Sequence, residues 1–292
     1  MRYAYYPGCS LKGTGKAYEE SLLSVFRTLG VELHEIEDWN CCGATSYSSV
    51  HNSAAFALAA RNLALAEPLR MDLVAPCAAC YLVLEKTKRY IRNHPHLDER
   101  VRRGLQAAGL RYEGNVRVRH PLDVLVNDVG LDAVRAKVKR PLDGLAVAPY
   151  YGCQVVRPYS TFDHQTYPVL MDRLLEAAGA KVVRYPLKTK CCGGSLTGTQ
   201  PDVGVRLAWF LIREAKKRGA DVIATLCPLC HFNLDSYQDK IARTCEKVSV
   251  PTVYFTQLLG LAFGHSEKSL GLHRNIVSAH AALASRSLAT AG

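Results

Sequence analysis

Residues 187–195 read LKTKCCGGS, and residues 39–44 read WNCCGA. Each stretch contains two adjacent cysteines followed by a small, flexible segment. Neighbouring side chains of an extended strand point to opposite faces, so a pair of adjacent cysteines does not suit an ordinary strand core. The recurrence of this pair indicates that two neighbouring thiols have the same task in two parts of the chain.

The other cysteines show that the pairs belong to a repeat. Ten of the 11 cysteines form two sets of five in the same order, and only Cys245 is left over. Both sets end in CxxC, with 34 residues between the adjacent pair and the CxxC. The sets are Cys9, Cys41, Cys42, Cys77, Cys80, and Cys153, Cys191, Cys192, Cys227, Cys230.

The sequence around the cysteines repeats as well. YYPGC (5–9) matches YYGC (150–153), and MDLVAPCAAC (71–80) matches ADVIATLCPLC (220–230). A repeat near half the chain length indicates two copies of one domain. We therefore predict an N-terminal domain of residues 1–143 and a C-terminal domain of residues 144–292.

Hydrophobic patterning predicts an α/β fold in both copies. Short apolar strands precede the cysteines, and helical segments separate the strands, which is typical of a small parallel sheet. The predicted helices cover 16–29, 53–69, 164–178 and 201–218, and further helices begin near Ala78 and Pro228. Ligands of such Rossmann-like sheets bind at the carboxyl ends of strands. We expect the cysteines there, near the interface between the domains.

Composition narrows the class of protein. The N-terminus lacks the apolar core of a secretory signal, and no apolar run approaches the roughly 18 residues of a membrane span. We therefore expect a cytoplasmic protein without a transmembrane segment, in which clustered cysteines bind metal or carry out redox chemistry. The net charge is +11, without a nucleic-acid-binding motif. This favours an anionic substrate or an acidic partner over nucleic acid.

The number of thiols indicates the kind of metal site. Zinc takes four tetrahedral ligands, whereas each set here offers five. Five thiolates with an adjacent pair, beside glycines such as Gly43 and Gly193, suit a polynuclear iron–sulfur site better. Zinc in one half and thioredoxin-type disulfide chemistry remain alternatives at this point.

The double pattern C-x31-CCG-x34-CxxC and C-x37-CCG-x34-CxxC resembles the cysteine-rich CCG domain family. The whole chain is similar to the heterodisulfide reductase B subunits, from YYPGC (5–9) to TQLLGLAFG (256–264), including CPLCH (227–231). The resemblance implies that each five-cysteine set binds one non-cubane [4Fe–4S] cluster. It also implies reduction of a disulfide held between the two clusters, with one electron arriving at each, or the reverse oxidation of thiols.

The same resemblance implies partner subunits, whereas the substrate does not carry over from the family and stays open. Electrons would come from a ferredoxin-like iron–sulfur subunit and a flavin subunit, since the chain has neither a cubane ferredoxin motif nor a flavin fingerprint. The substrate would be a small anionic disulfide or thiol, or a protein-bound sulfur carrier.

Several residues near the cysteines are candidates for further roles. His231 follows Cys230 and is a candidate proton donor, with a polar residue at a helix start as the alternative. Lys188 and Lys190 precede the second pair and could attract an anionic substrate or offset cluster charge, as could Lys12 and Lys16. The remaining candidates lack metal-site spacing and are expected at the surface: His51, His94, His96 and His120.

Two other functions remain open from the sequence. The chain could be a subunit of a succinate dehydrogenase-like or fumarate reductase-like complex, peripheral to the membrane through its partners. It could also be a non-catalytic electron relay or a structural subunit that holds zinc in one half.

Overall fold

Two four-stranded parallel sheets form the centre of the molecule. The computed structural model describes residues 1–44, 47–286 and 288. The strand order is β2-β1-β3-β4 in one sheet and β6-β5-β7-β8 in the other. The strands are β1 (Arg2–Tyr5), β2 (Glu32–Glu35), β3 (Leu73–Val74), β4 (Val118–Arg119), β5 (Ala146–Tyr150), β6 (Lys181–Val182), β7 (Val222–Thr225) and β8 (Thr252–Tyr254).

Helices connect successive strands and cover the sheets. A π-helical turn covers Val124–Val129, and 3₁₀ turns cover Glu67–Leu69 and Leu272–Arg274. The α-helices are α1 (Gly8–Lys12), α2 (Lys16–Thr28), α3 (Tyr47–Val50), α4 (Asn52–Ala66), α5 (Ala78–Asn93), α6 (Pro95–Ala107), α7 (Pro121–Asp123), α8 (Leu131–Lys137), α9 (Leu170–Ala177), α10 (Pro201–Lys217), α11 (Pro228–Ser236), α12 (Gln238–Thr244), α13 (Phe255–Ala262) and α14 (His280–Ala284).

The α/β prediction is confirmed, with one error in a helix boundary. The helix predicted over 164–178 begins only at Leu170. The carboxylate of Asp163 accepts hydrogen bonds from the backbone N–H groups of Val169 and Leu170 and holds the preceding segment as a loop. Pro168 also disfavours helical backbone at the residue before it.

The strand order brings the cysteine loops together. In the first sheet β1 lies between β2 and β3, and in the second sheet β5 lies between β6 and β7. These are the strands that precede the cysteines of each set. Because parallel strands end at the same edge, all five cysteines of a set arrive at one edge of one sheet.

The two halves pack closely on each other. Helix α2 of the first half lies against α13 of the second, where Ser21 and Thr256 share a buried hydrogen bond of 2.7 Å between their hydroxyls. Tyr18 stacks on Tyr254 with ring centroids 4.5 Å apart. The domain boundary between residues 143 and 144 stays a prediction.

Within the described residues, no helix has the length and apolar character needed to cross a membrane.

Candidate metal centre

The first set of cysteines lies at the carboxyl ends of three neighbouring strands. Cys9 follows β1 in the short helix α1, Cys41 and Cys42 follow β2, and Cys77 directly precedes α5, whose first turn contains Cys80. Cys9 and Cys41 are exposed, whereas the other three are buried. The set therefore has an open end and a buried end.

The second set repeats this arrangement. Cys153 follows β5, the adjacent pair follows β6, and Cys227 directly precedes α11, which begins at Pro228 as predicted. Cys191 is exposed and Cys153 is half-buried, whereas Cys192, Cys227 and Cys230 are buried. The pattern of open and buried thiols is thus shared by both halves.

The glycines after each pair let the backbone turn back onto the thiols. In the second half, the N–H groups of Gly193 and Gly194 point to the sulfurs of Cys191 and Cys192 at 3.4 and 3.3 Å. Gly193 has a φ of +81°, a conformation that favours glycine. N–H groups directed at sulfur stabilise thiolate, the form that binds metal.

Two further glycines make room beside the CxxC cysteines. A Cβ on Gly8 would lie 3.1 Å from the sulfur of Cys80, and one on Gly152 would lie 3.0 Å from the sulfur of Cys230. Both glycines have positive φ, +66° and +68°. Both glycines belong to a repeated Tyr-x-Gly-Cys motif, at residues 6–9 and 150–153. This repeat indicates the space beside the sulfurs, although the space was not among the sequence predictions.

The thiols of each set are crowded enough to share protons. The sulfurs of Cys42 and Cys80 lie 3.2 Å apart. Hydrogen bonds from Cys41 and Cys80 lower the pKa of Cys42 to about 4. In the other half, hydrogen bonds from Cys153 and Cys192 lower the pKa of Cys191 to about 2. Metal ions displace such shared protons, so the crowding favours metal binding.

The buried ends of the two sets meet at the interface between the halves. The neighbouring thiol of Cys227 is the main cause that lowers the pKa of Cys77; on the pKa of Cys227, Cys230 acts downward and Cys77 acts upward. These two cysteines occupy equivalent positions, each preceding the helix that carries the rest of its CxxC. The two sites therefore adjoin through equivalent thiols.

Two predictions about charged and polar residues were wrong. Lys188 is buried, with 1% of its side chain exposed, and donates to Asp172 at 2.5 Å and to the carbonyl of Pro168 at 2.9 Å. It is a structural cation and does not face a substrate. His120, expected at the surface, is fully buried, and its ring bonds to the carbonyl of Pro76 at 3.0 Å.

The other candidates lie nearer to their expected places. Lys190 and Cys245 are exposed. Lys12 and Lys16 both pair with Glu19, at 2.7 and 2.5 Å, so Glu19 already offsets part of their charge. The surface expectation for three histidines is confirmed: His51, His94 and His96.

His231 lies beside the second site but differs from a simple proton donor. It is 7% exposed and stacks on Tyr254 with ring centroids 4.2 Å apart. Burial lowers its pKa to about 4, with a hydrogen bond to the backbone of Thr252 acting in the opposite direction. Its Nε2 has no hydrogen-bond partner among the described residues.

The residues fit an iron–sulfur group. Among the described residues, no three His, Cys, Asp or Glu side chains have the arrangement of a single-ion site. The five-thiol donor sets, the N–H groups directed at sulfur and the space left by Gly8 and Gly152 suit a larger sulfur-ligated group.

Comparison with known proteins supports a site built from cysteine thiols. A family model described as a cysteine-rich domain, CCG, matches residues 3–85 and 147–235. The chain belongs to the CCG cysteine-rich domain family. The two matches confirm that this domain occurs twice.

Relatives extend over nearly the whole chain. The 8-methylmenaquinol:fumarate reductase membrane anchor subunit of Wolinella succinogenes is 34% identical, covering 95% of this chain and 97% of its own. A protein of Archaeoglobus profundus, named for its likeness to the heterodisulfide reductase B subunit, is 31% identical, covering 93% and 94%. The B subunit of a ferredoxin/F420H2-dependent CoB–CoM heterodisulfide reductase from Methanosarcina acetivorans is 28% identical, covering 94% of each chain.

One solved structure shares the fold of this CCG protein. A hypothetical protein from Helicobacter pylori aligns with a TM-score of 0.76 at 15% identity, covering 95% of this chain and 52% of that one. At this identity the likeness concerns the fold alone.

Proposed function

We propose that this CCG protein is the catalytic subunit of a heterodisulfide reductase-like complex. It would reduce a disulfide to two thiols, or run the reverse oxidation of thiols or a sulfur carrier. The observation that supports this most directly is the pair of five-thiol sites whose buried ends adjoin at Cys77 and Cys227. Relatives named as heterodisulfide reductase B subunits support the same function.

The ten cysteines would hold two non-cubane [4Fe–4S] clusters, one in each half. Clusters of this kind supply one-electron transfer and sulfur binding at iron. Reduction of a disulfide consumes two electrons and two protons and releases two thiols. Two adjoining sites suit this balance, because each can supply one electron.

The open end of each site gives a substrate its approach. Cys9 and Cys41 of the first site, and Cys191 of the second, reach the surface. Lys190 is exposed directly before Cys191, and the charge of Arg157 contributes to the lowered pKa of Cys191. These cations favour an anionic disulfide, an anionic thiol or a protein-bound sulfur carrier with acidic groups.

His231 would take part in proton transfer. It directly follows Cys230 at the start of α11, and its Nε2 has no hydrogen-bond partner among the described residues, so that atom is free to bond a group held at the second site.

Electrons would come from separate subunits, a ferredoxin-like iron–sulfur protein and a flavoprotein. We place this assembly in the cytoplasm, with membrane contact only through partners.

The test is a metal analysis combined with a disulfide assay. Anaerobically purified protein should contain about eight irons and eight acid-labile sulfides per chain, as two four-iron clusters require. Oxidation with thiol present should give an EPR signal that is absent without thiol, and reduced viologen should drive disulfide reduction. One zinc per half without sulfide would refute the proposal and leave a structural subunit.

A second candidate is a subunit of a fumarate reductase-like complex. It is favoured by the 34% identity to the Wolinella succinogenes fumarate reductase subunit over 95% of this chain. Purification of the tagged chain from its native host discriminates the two. Co-purification of a flavoprotein from the membrane fraction, with fumarate-dependent oxidation of reduced dye, would favour this candidate over the first.

A further inference from the structure

Two stacked tyrosines join the halves beside the metal centre. Tyr18 comes from α2 of the first half and Tyr254 from the end of β8 in the second, with their rings 4.5 Å apart and tilted by only 6°. Tyr18 is 0% and Tyr254 1% exposed. Neither hydroxyl donates a hydrogen bond to a group in the described part of the chain. Buried donors are rarely left without an acceptor, so these two indicate an acceptor from outside the chain.

The position of these hydroxyls points to sulfur as that partner. Among the cysteines, Cys227 of the second half acts most strongly on the pKa of both Tyr18 and Tyr254, and Cys77 of the first half acts less, so both rings lie near the two thiols that meet at the interface, on the side of the second-half thiol. Burial is the main cause that raises the pKa of each tyrosine, so each keeps its proton and remains a donor.

Other unpartnered polar atoms lie on the same side of the centre. Thr225 pairs in register with Tyr254 on the neighbouring strand, and His231 stacks on the Tyr254 ring. Within the described residues, three further buried atoms of this region lack partners: Thr225 Oγ1, His231 Nε2 and Thr252 Oγ1.

At two equivalent positions of the first half, the side chains have hydrogen-bond partners. His120 precedes α7 as Tyr254 precedes α13, and both of its ring nitrogens are bonded, to Pro76 at 3.0 Å and Leu122 at 3.2 Å. Tyr81, the counterpart of His231 after the CxxC, bonds through its hydroxyl to Thr161 of the second half. The two sites thus differ in the donors available to them.

We propose that Tyr18 and Tyr254 donate hydrogen bonds to the sulfur atoms at the interface and make the two sites electronically unequal, the second-half site having the higher reduction potential. This rests on the proposed function, because it requires both sites to hold clusters. Hydrogen bonds to cluster sulfur tune its potential, and a donor stabilises the more negative, reduced form. The second-half site would then accept an electron first.

The experiment is an EPR-monitored redox titration of the full chain with Tyr18→Phe and Tyr254→Phe. Iron and sulfide per chain should equal those of the unmodified protein. One of the two midpoint potentials should fall in each variant, by 59 mV if the hydroxyl favours the reduced form about tenfold. An exchangeable proton coupling seen by ENDOR in the unmodified protein should weaken in both variants.

Tyr112→Phe is the matched control. Tyr112 is also buried with an unpartnered hydroxyl among the described residues, but Glu67 and Glu85 are the charges that act on it. Its replacement should leave both potentials unchanged. Unchanged potentials and couplings in both test variants, with full iron, would overturn this inference and leave the proposed function standing. Protein lacking iron and sulfide before any substitution would instead refute the proposed function.

If one Phe variant fails to fold, the other still decides the question, because the two hydroxyls act from opposite halves of the molecule on the same thiols.

Discussion

Tyr6 and Tyr150 occupy equivalent positions in the two halves and make the same hydrogen bond. The hydroxyl of Tyr6 donates to the carbonyl of Asn40 at 2.8 Å, and that of Tyr150 donates to the carbonyl of Lys190 at 2.7 Å. Each acceptor directly precedes the adjacent cysteine pair of its half. Each tyrosine therefore fixes the loop that presents two of the five thiols.

Replacing either of these tyrosines should weaken the metal centre of one half. Tyr150→Phe leaves the carbonyl of Lys190 unpaired, and we expect a loss of about 1–3 kcal/mol in the free energy of unfolding; Tyr6→Phe should cost less, about 0.5–1.5 kcal/mol, because the carbonyl of Asn40 also accepts from Asn62. Iron per chain should also fall, because the cysteine loop is no longer held. Denaturant unfolding and iron analysis measure the two effects.

Tyr185→Phe serves as the control for this pair. Its buried hydroxyl donates to the carbonyl of Leu211 at 2.9 Å, and the acidic Glu214 is the charge that acts on it. It should lose similar stability but keep its iron. Equal iron loss in all three variants would contradict a specific role in positioning the cysteine pairs.

Substituting Gly8 or Gly152 should remove iron for a steric reason. Alanine there strains a backbone with positive φ, at about 1–2 kcal/mol, and places a methyl group about 3 Å from a CxxC sulfur. We expect iron per chain to fall by about half for each substitution, since each glycine belongs to one site.

Gly109→Ala separates backbone strain from crowding. Gly109 has a φ of +69°, and a Cβ there would meet none of the described atoms within 4 Å. The Gly109→Ala substitution should destabilise the fold to a similar extent and leave the iron content unchanged. Full iron in Gly8→Ala would show that the space beside Cys80 is not needed.

Removing one of the proposed buried ligands should empty one site. Cys42→Ser takes away a thiol 3.2 Å from Cys80, and we expect iron and sulfide per chain to fall to about half, because serine oxygen is a poor ligand for these clusters. Cys245→Ser changes an exposed cysteine outside both sets and should keep all iron. Equal iron in both variants would refute the assignment of Cys42 as a ligand.

Lys188→Met should destabilise the fold. It removes the cation that neutralises Asp172 in a largely buried ion pair, and loss of one partner costs about 3–5 kcal/mol. Lys190→Met changes an exposed side chain and should alter the free energy of unfolding by no more than about 0.5 kcal/mol. Denaturant midpoints compare the two, and equal midpoints would contradict the structural role of Lys188.

The loop before α9 shows that hydrophobic periodicity did not predict where this helix begins. Residues 164–178 have enough apolar periodicity for a helix, yet Asp163 and Pro168 keep the first part of that range irregular. The free energy of such side-chain-to-backbone hydrogen bonds depends on the geometry of the loop, which hydrophobic periodicity does not encode. The same holds for His120, whose burial depends on a carbonyl 44 residues away in the chain.

The spacing of the cysteines determined the duplication and the grouping of ten cysteines into two sets, and hydrophobic patterning determined the α/β class, because a repeated domain repeats its local pattern of strands, helices and thiols. Only the tertiary structure decided that Cys77 meets Cys227 and that Tyr18 stacks on Tyr254. The members of each pair lie 150 and 236 positions apart. These contacts depend on how one half packs on the other, and no local sequence signal specifies how two folded surfaces fit together.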